Sequence, residues 1–170
     1  MISYRIATSR DAPSIATLHA ESWQKHYRNV LSENYLSGPI LQERLEVWTK
    51  RLAHPKEDQY ILIAEEDNNL LGFVCLYFKE DSKWGTLLDN LHVTFEKKGQ
   101  GIGRQLWSKG LQWSFQKDSN VPVHLWVFEI NTAAIAAYES WQGQCVEKKI
   151  HQNPDGTSAR ALRYVWQKKI

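Results

Sequence analysis

A run of closely spaced glycines is the clearest chemical signal in the sequence. Gly99, Gly101 and Gly103 alternate with other residues, and Lys98 and Arg104 flank them. Because glycine has no Cβ atom, successive backbone N–H groups in such a run can turn inward and bind an anion. A helix that begins at this point adds unpaired N–H groups and the positive end of its dipole. The segment therefore predicts a site for a phosphate or a diphosphate.

The spacing of these glycines does not fit the two common nucleotide-binding loops. A dinucleotide-binding fingerprint needs glycine at the first, third and sixth positions, and the sixth position counted from Gly99 is Arg104. The phosphate-binding loop of NTPases needs glycine followed by Lys and Ser or Thr, whereas Gly103 is followed by Arg104 and Gln105. Taken alone, the run also fits a simple tight turn between a strand and a helix.

A second group of candidate residues falls on one face of a later helix. Asn131, Ala134 and Tyr138 are spaced i, i+3 and i+7, which places them on the same side of a helix. Two structural alternatives remain open, because asparagine is a common helix N-cap and a tyrosine on an alanine-rich helix often belongs to the core.

The two segments together resemble the acyl-CoA-binding motifs of the GNAT superfamily of N-acetyltransferases. The loop motif of that family is Arg or Gln, two residues, Gly, one residue, then Gly or Ala. Gly101 and Gly103 match the glycine positions, and Lys98 stands where the family usually has Arg or Gln. The resemblance covers most of the chain. It implies one α/β (α+β) domain over residues 1–170, with a mixed central sheet of about seven strands, splayed central strands and about four helices.

The resemblance also implies an activity and a set of site residues. The protein would transfer an acetyl group from acetyl-CoA to a primary amine by direct attack. Tyr138 would be the general acid that protonates the leaving thiolate, and backbone amides of a splayed central strand would contact the pantetheine and the carbonyl oxygen. The residues expected to bind the cofactor are Leu91, Val93, Lys98, Gly99, Gln100, Gly101, Ile102, Gly103, Arg104, Asn131 and Ala134.

The base and the acceptor site are less constrained by the sequence. Asp89 is the candidate base, with His92, Glu129 or a chain of water molecules without a single base as alternatives. Strict alternation along a strand would place Asp89 and His92 on opposite faces. Trp23 and Tyr27, at i and i+4 on the first helix, are expected to form an aromatic wall for the amine, with core packing as the alternative. The acceptor stays open among polyamines, amino acids, antibiotics and protein N-termini.

The hydrophobic periodicity supplies the elements that must position these residues, in the order βααβββαβαββ. The turn sequence Asp67-Asn68-Asn69 joins two of the strands as a hairpin. Strands are predicted over 4–8, 60–64, 71–78, 86–94, 121–127, 144–150 and 159–166, and helices over 12–30, 40–52, 101–116 and 131–141.

The composition is that of an ordinary globular protein. The 170 residues are 42% apolar and 24% charged, with a net charge of +2 and no basic stripe, which argues against a nucleic-acid partner. No apolar run is long enough for a membrane span, and histidines and cysteines show no metal-ligand spacing. Cys75 and Cys145 are expected to be buried thiols of a reducing compartment. We therefore expect a cytoplasmic, metal-free protein without a membrane partner, and the aromatic-rich final strands are compatible with a homodimer.

Two other functions remain open at this point. A non-catalytic acyl-CoA-binding sensor could use the same fold, and an unrelated nucleotide-binding protein could use the same glycine turn. Tight binding of CoA without turnover would indicate the sensor, and stabilisation by ATP alone would indicate the nucleotide-binding protein.

Overall fold

The computed structural model describes residues 1–167, which form a mixed sheet with helices on both faces. The strands are β1 (Ser3–Ile6), β2 (Gln59–Glu66), β3 (Asn69–Asp81), β4 (Gly85–Val93), β5 (Val123–Phe128), β6 (Gln144–Gln152) and β7 (Ser158–Trp166). The α-helices within these residues are α1 (Ala12–His26), α2 (Glu33–Ser37), α3 (Ile40–Ala53), α4 (Ile102–Lys117) and α5 (Thr132–Ser140). No helix in the described part is both long and apolar enough to cross a bilayer.

The seven strands lie in the order β1-β2-β3-β4-β5-β7-β6. Every neighbouring pair is antiparallel except β4 and β5, which are parallel and are connected through α4. Helices α1 and α3 pack on one face over Ile63 and Phe73, and α4 and α5 pack on the other over Val74 and Leu125. The predicted seven-stranded mixed sheet with flanking helices is confirmed.

The structure corrects the first helix of the sequence prediction. Helix α1 ends at His26, and the apolar residues Val30 and Leu31 belong to the following segment instead. They pack with the short helix α2, which the sequence analysis did not predict and which raises the number of α-helices in residues 1–167 to five. The apolar spacing of α1 continues by chance into this segment, and a five-residue helix is too short to show a period of its own.

The expectation of two buried cysteines is also half wrong. Cys75 is buried on the central strand β3, whereas Cys145 is exposed, and both thiols are free. The reason is topological, because Cys145 lies on the edge strand β6, whose side chains are mostly exposed.

Strand β4 carries two irregularities that shape the centre of the sheet. On the β3 side, Leu88 pairs with Leu76 and Asn90 with Cys75, so Asp89 has no partner and forms a bulge. On the β5 side, pairing is limited to the first residues of β4, at Thr86↔Val123 and Leu87↔His124. Beyond these two pairs the strands diverge, which confirms the predicted splay.

Candidate active site

A cleft of about 740 Å³ opens where β4 and β5 separate. The C-terminal half of α1, the loop 94–101, helix α5 and the turn between β6 and β7 form its walls. A cleft of this size is in the range of small-molecule and cofactor sites. The cleft therefore brings together the segments that the sequence analysis selected.

The glycine loop lies at one end of this cleft and presents free backbone amides. Gly99 and Gly101 have φ angles of +79° and +80°, and a Cβ atom at either position would meet nothing within 4 Å. Glycine is thus required there by backbone conformation and not by space. Gln105 N–H donates to Gly101 O at 3.0 Å, the first bond of α4, so the amides that precede Gln105 have no partner within the helix. This is the geometry of an anion-binding helix N-terminus.

The backbone of β4 offers a second set of polar groups to the cleft. In an antiparallel pair, hydrogen-bonded and non-hydrogen-bonded residue pairs alternate. Thr94 N–H donates to Leu71 O at 2.8 Å, and the register with β3 is regular from there back to Leu91. Leu91 and Val93 therefore turn their N–H and C=O groups away from β3. Because β5 has already diverged, these groups face the opening.

Strand β5 contributes the opposite edge of the opening. Glu129 N–H donates to Arg160 O at 2.9 Å, which continues the antiparallel ladder with β7. By the same alternation, Trp126 turns its backbone polar groups toward β4 and the cleft. The two facing edges leave a gap in which an extended, amide-containing ligand can form the hydrogen bonds of a strand.

Helix α5 places its predicted residues along the cleft wall. Asn131 caps the helix, because its carboxamide oxygen accepts a hydrogen bond from Ala134 N–H at 3.3 Å. Burial raises the pKa of Tyr27, and a hydrogen bond from the Asn131 side chain opposes that rise. The N-cap alternative considered for Asn131 is thus realised, while the residue and Ala134 also line the cleft.

Tyr138 is a buried residue that also reaches the cleft. Its ring packs edge-on against Trp141 and Trp166 at centroid distances of 5.8 Å, and the residue lines the cleft. Burial, with a smaller contribution from Tyr27, raises the pKa of the Tyr138 phenol well above its usual value. The phenol is therefore protonated at neutral pH and available as a proton donor.

The structure corrects the expected placement of Asp89 and His92, which lie on the same face of the sheet. The bulge at Asp89 adds one residue to β4 and reverses the alternation that the period of two predicts. Asp89 accepts a hydrogen bond from Arg51 of α3 at 2.8 Å, and His92 contacts Ser22 of α1. Both residues line the cleft, but the Asp89 carboxylate is already engaged.

His92 is held by a polar network under α1. Its Nδ1 atom lies 2.8 Å from Ser22 Oγ, and its ring centroid is 4.8 Å from that of His19. His19 accepts a hydrogen bond at Nδ1 from Trp48 Nε1 at 3.0 Å. Burial, together with the charges of nearby His26 and Lys98, lowers the pKa of His92 to about 3. The imidazole is therefore neutral at pH 7.

Glu129, the third candidate base, is placed differently. Its carboxylate pairs with Arg160 at 3.2 Å and lies 3.7 Å from Lys148 Nζ. The residue is absent from the cleft lining within the described chain.

The charged residues of the loop differ in their surroundings. Lys98 Nζ lies 2.7 Å from His26 Nε2, and burial together with Lys25 lowers the pKa of Lys98. Arg104 lines the cleft, whereas Gln100 is exposed and is not part of the lining. The other residues expected to bind the cofactor all line the cleft: Leu91, Val93, Lys98, Gly99, Gly101, Ile102, Gly103, Arg104, Asn131 and Ala134.

The wall of the cleft that α1 forms is aromatic. Trp23 and Tyr27 both line it, with a centroid distance of 5.7 Å, and Tyr27 packs edge-on against Phe128 at 5.0 Å. Sequence reasoning missed Arg44 and His151, which also line the cleft. No local signal marks these two, because α3 and β6 bring them to the cleft only through tertiary packing.

The turn between β6 and β7 is tied to the segment after α1. Asp155 accepts hydrogen bonds from Ser32 N–H at 2.5 Å and Thr157 Oγ1 at 2.7 Å, and these bonds lower the pKa of Asp155 to about 2. Thr157 Oγ1 also donates to Val30 O at 2.8 Å. These contacts fix the wall of the cleft that carries Asn153.

One polar cluster lies outside the cleft. Glu80, Asp81 and His124 each have one side-chain atom that could coordinate a metal ion, and these three atoms lie within 4.8 Å of one another. The guanidinium of Arg163 is 3.3 Å from Asp81 and 3.2 Å from His124 Nδ1, so an arginine already supplies positive charge there.

Comparison with known proteins assigns the class of this site. The model of the acetyltransferase (GNAT) family matches residues 15–144, more than half of the chain, so the chain belongs to that family. It is an N-acetyltransferase by family, and the resemblance seen in the sequence is confirmed.

Individual relatives agree with this assignment. The uncharacterized N-acetyltransferase YuaI of Bacillus subtilis (strain 168) is 25% identical over 138 residues, which cover 79% of this chain and 76% of that protein. The fold is similar to that of the PaiA N-acetyltransferase from Thermoplasma acidophilum in complex with coenzyme A, with a TM-score of 0.74, 19% identity and coverage of 98% and 99% of the two chains. Arabidopsis thaliana NAA60 in complex with a bisubstrate analogue gives a TM-score of 0.74 at 19% identity, with 98% and 97% covered.

Proposed function

We propose that the protein transfers an acetyl group from acetyl-CoA to a primary amine by direct attack within a ternary complex. The observation that carries this proposal is the continuity of two features in one cleft. The free amides before Gln105 and the open backbone edges of β4 and β5 belong to the same cleft. Acetyl-CoA carries matching groups, because its diphosphate is joined to an extended chain that contains amides.

The cofactor is held in this proposal largely by main-chain groups. The amides of Gly101, Ile102 and Gly103 bind the diphosphate at the start of α4, and Lys98 and Arg104 add positive charge at the rim. The pantetheine then lies along Leu91 and Val93 as an added strand. The N–H groups of these two residues also point to where the thioester oxygen becomes negatively charged, which stabilises the tetrahedral intermediate.

Tyr138 is the proposed general acid. Tyr138 lines the cleft on the side of α5, and its phenol carries a proton at neutral pH. As the C–S bond breaks, the phenol gives this proton to the thiolate of CoA.

His92 is the proposed proton acceptor for the attacking amine. It is neutral, it lines the cleft, and Ser22 fixes its ring, whereas the Asp89 carboxylate is held by Arg51 and Glu129 lies outside the cleft lining. The amine nitrogen becomes positively charged as it attacks, and an imidazole beside it accepts the proton that must leave. Asp89 is retained as the second candidate, acting through a water molecule.

Holding both reactants in one cleft supplies much of the remaining rate acceleration by proximity. The aromatic wall formed by Trp23 and Tyr27 is the proposed acceptor site. We also propose a cytoplasmic location, which the two free thiols, Cys75 and Cys145, support.

A thiol-release assay with acetyl-CoA over a library of amines tests the proposed function. Acetyl-CoA should stabilise the protein against heat, ATP and NAD should not, and at least one class of amine should release CoA faster than buffer alone. Binding of acetyl-CoA with no turnover over the whole library would indicate a sensor instead. Stabilisation by ATP alone would contradict the proposed cofactor.

A further inference from the structure

We propose that the acceptor amine carries a carboxylate and that the guanidinium of Arg44 binds it. This inference deepens the N-acetyltransferase function proposed above and rests on it. The acceptor class is therefore a small amino carboxylate, such as an α-amino acid with an apolar side chain.

Arg44 lies largely buried in the wall of the cleft. The residue lies on α3, lines the cleft, and holds its guanidinium 5.0 Å from the ring of Trp23. Its side chain is only 16% exposed, and its Nε atom is buried without a hydrogen-bond partner in the described part of the chain. A guanidinium is always charged and presents its N–H groups as a fork that matches a carboxylate.

The charge of Arg44 is poorly compensated within the protein. The nearest carboxylate oxygen, on Glu43, is 3.9 Å from Arg44 Nη2, too far for a hydrogen bond. That same oxygen already accepts a hydrogen bond from the Tyr35 hydroxyl at 2.6 Å. Arg51, on the same helix, provides the contrast, because its guanidinium is paired with Asp89 at 2.8 Å. Of the two arginines of α3, Arg44 is thus the one whose charge has no carboxylate within hydrogen-bond distance.

The charges of the whole cleft point to the same class of acceptor. Among the described residues that line the cleft, Asp89 is the sole carboxylate, and Arg51 neutralises it. A polyamine needs negative charge along its binding site, which this lining lacks. Lys98 lies beside His26 at the glycine loop, where the phosphates of the cofactor account for it. Arg44 contacts α1 at Trp23 instead, on the side of α3.

A row of neighbouring rings connects Arg44 to the proposed catalytic histidine. Trp23, which Arg44 covers, packs against His19 with a centroid distance of 5.1 Å, and the His19 ring lies 4.8 Å from the ring of His92. In the proposed complex the carboxylate lies at Arg44 and the amine of the same molecule is oriented toward His92. The rings of Trp23 and Tyr27 are left to contact an apolar side chain.

Matched acceptor pairs test this inference. Each pair consists of an amino acid and the amine that lacks its carboxylate: leucine with isoamylamine, phenylalanine with phenethylamine, and tryptophan with tryptamine. Rates are compared per concentration of neutral amine, so that differences in amine pKa do not enter. We expect wild-type kcat/KM to be at least about tenfold higher for the amino acid of a preferred pair, as a charged hydrogen bond predicts.

Variants assign the preference to Arg44. Arg44→Met should lower kcat/KM for the amino acid by about 10²-fold, chiefly by raising KM. The same variant should change kcat/KM for the amine by less than about threefold. Arg44→Lys keeps the charge but loses the fork of N–H donors, so its kcat/KM for the amino acid should lie between those of wild type and Arg44→Met. Lys50→Met, at an exposed lysine of the same helix, is the matched control and should behave as wild type. The KM for acetyl-CoA and the thermal midpoint show whether each variant is folded.

Three results would overturn the inference. Equal use of both members of every pair by wild type would do so even if the variants do not fold. An equal loss for both members in Arg44→Met would show that the residue is structural. Release of CoA with none of the amines would instead remove the proposed N-acetyltransferase function, and the role of Arg44 with it.

Discussion

The Nδ1 atom of His92 lies 2.8 Å from the Oγ atom of Ser22, which ties the central strand β4 to helix α1 at the wall of the cleft. The contact fixes the imidazole ring on the face that α1 covers. It also leaves the second ring nitrogen available for a ligand. A histidine that is oriented in this way beside the proposed acceptor site is placed to accept a proton from a bound amine.

Replacement of His92 tests this role. We expect His92→Gln to lower kcat by about 10²-fold, because an amide cannot accept the amine proton, with little change in the KM for acetyl-CoA. Ser22→Ala should have a smaller effect in the same direction. The pH profile of kcat/KM for both variants, measured with one acceptor, provides the comparison. If Asp89→Asn loses more activity than His92→Gln at equal thermal stability, the carboxylate is the base instead.

Replacement of Tyr138 tests the proposed general acid. Tyr138→Phe removes the hydroxyl but retains the ring that packs against Trp141 and Trp166, so the fold should be preserved. We expect kcat to fall by about 10²–10⁴-fold if proton transfer to the thiolate limits the rate. Tyr164→Phe is a suitable control, because this buried tyrosine bonds to Glu139 and is not part of the cleft lining. An unchanged turnover number in Tyr138→Phe would remove the assignment.

The glycine loop yields a paired prediction at Gly101 and Gly103. Gly101 has a φ of +80°, so Gly101→Ala forces an L side chain into a strained conformation and should move the amides that are proposed to bind the diphosphate. We expect the KM for acetyl-CoA to rise at least about tenfold. Gly103 lies in α4, and an added Cβ would be 3.5 Å from Val93 Cγ2, an ordinary contact. Gly103→Ala should therefore have a smaller effect, and equal effects would contradict this account.

Acid should destabilise the protein through buried histidines. Burial lowers the pKa of His92 to about 3 and that of His124 to about 4, while both should titrate near 6.5 in the unfolded chain. The unfolded state therefore binds more protons, and stability is lost as the pH falls from about 6.5 toward these values. Each histidine contributes a slope of up to about 1.4 kcal/mol per pH unit.

Urea unfolding between pH 7 and pH 4 measures this slope. His124→Gln, which removes one titrating group outside the cleft, should unfold with a shallower pH dependence than wild type. A free energy of unfolding that stays constant from pH 7 to pH 5 would show that these histidines are not held neutral by burial.

The two motifs were predictable from sequence because each is local. Gly101 and Gly103 lie within one turn, and Asn131 and Tyr138 lie on one helix, so spacing alone describes them. The position of Arg44 in the cleft wall was not predictable, because it depends on how α3 packs against α1 at Trp23.

The face of Asp89 could not be predicted for a different reason. Alternation with a period of two is correct for a regular strand. The single added residue of the bulge inverts the alternation for every residue that follows it along β4. Nothing in the residues around Asp89 marks that insertion, because the bulge is a property of the pairing with β3.

The divergence of β4 from β5 has a mechanical consequence. Strands β1 to β4 and strands β5 to β7 are two half-sheets, and within the described residues the strand pairing between them is limited to Thr86↔Val123 and Leu87↔His124. A cofactor lying in the gap would act as a removable strand that bonds to β4 and β5 and so connects the two half-sheets. Binding of the cofactor would then make the centre of the molecule more rigid. Release of the product CoA would loosen the wall against which the next acceptor must bind.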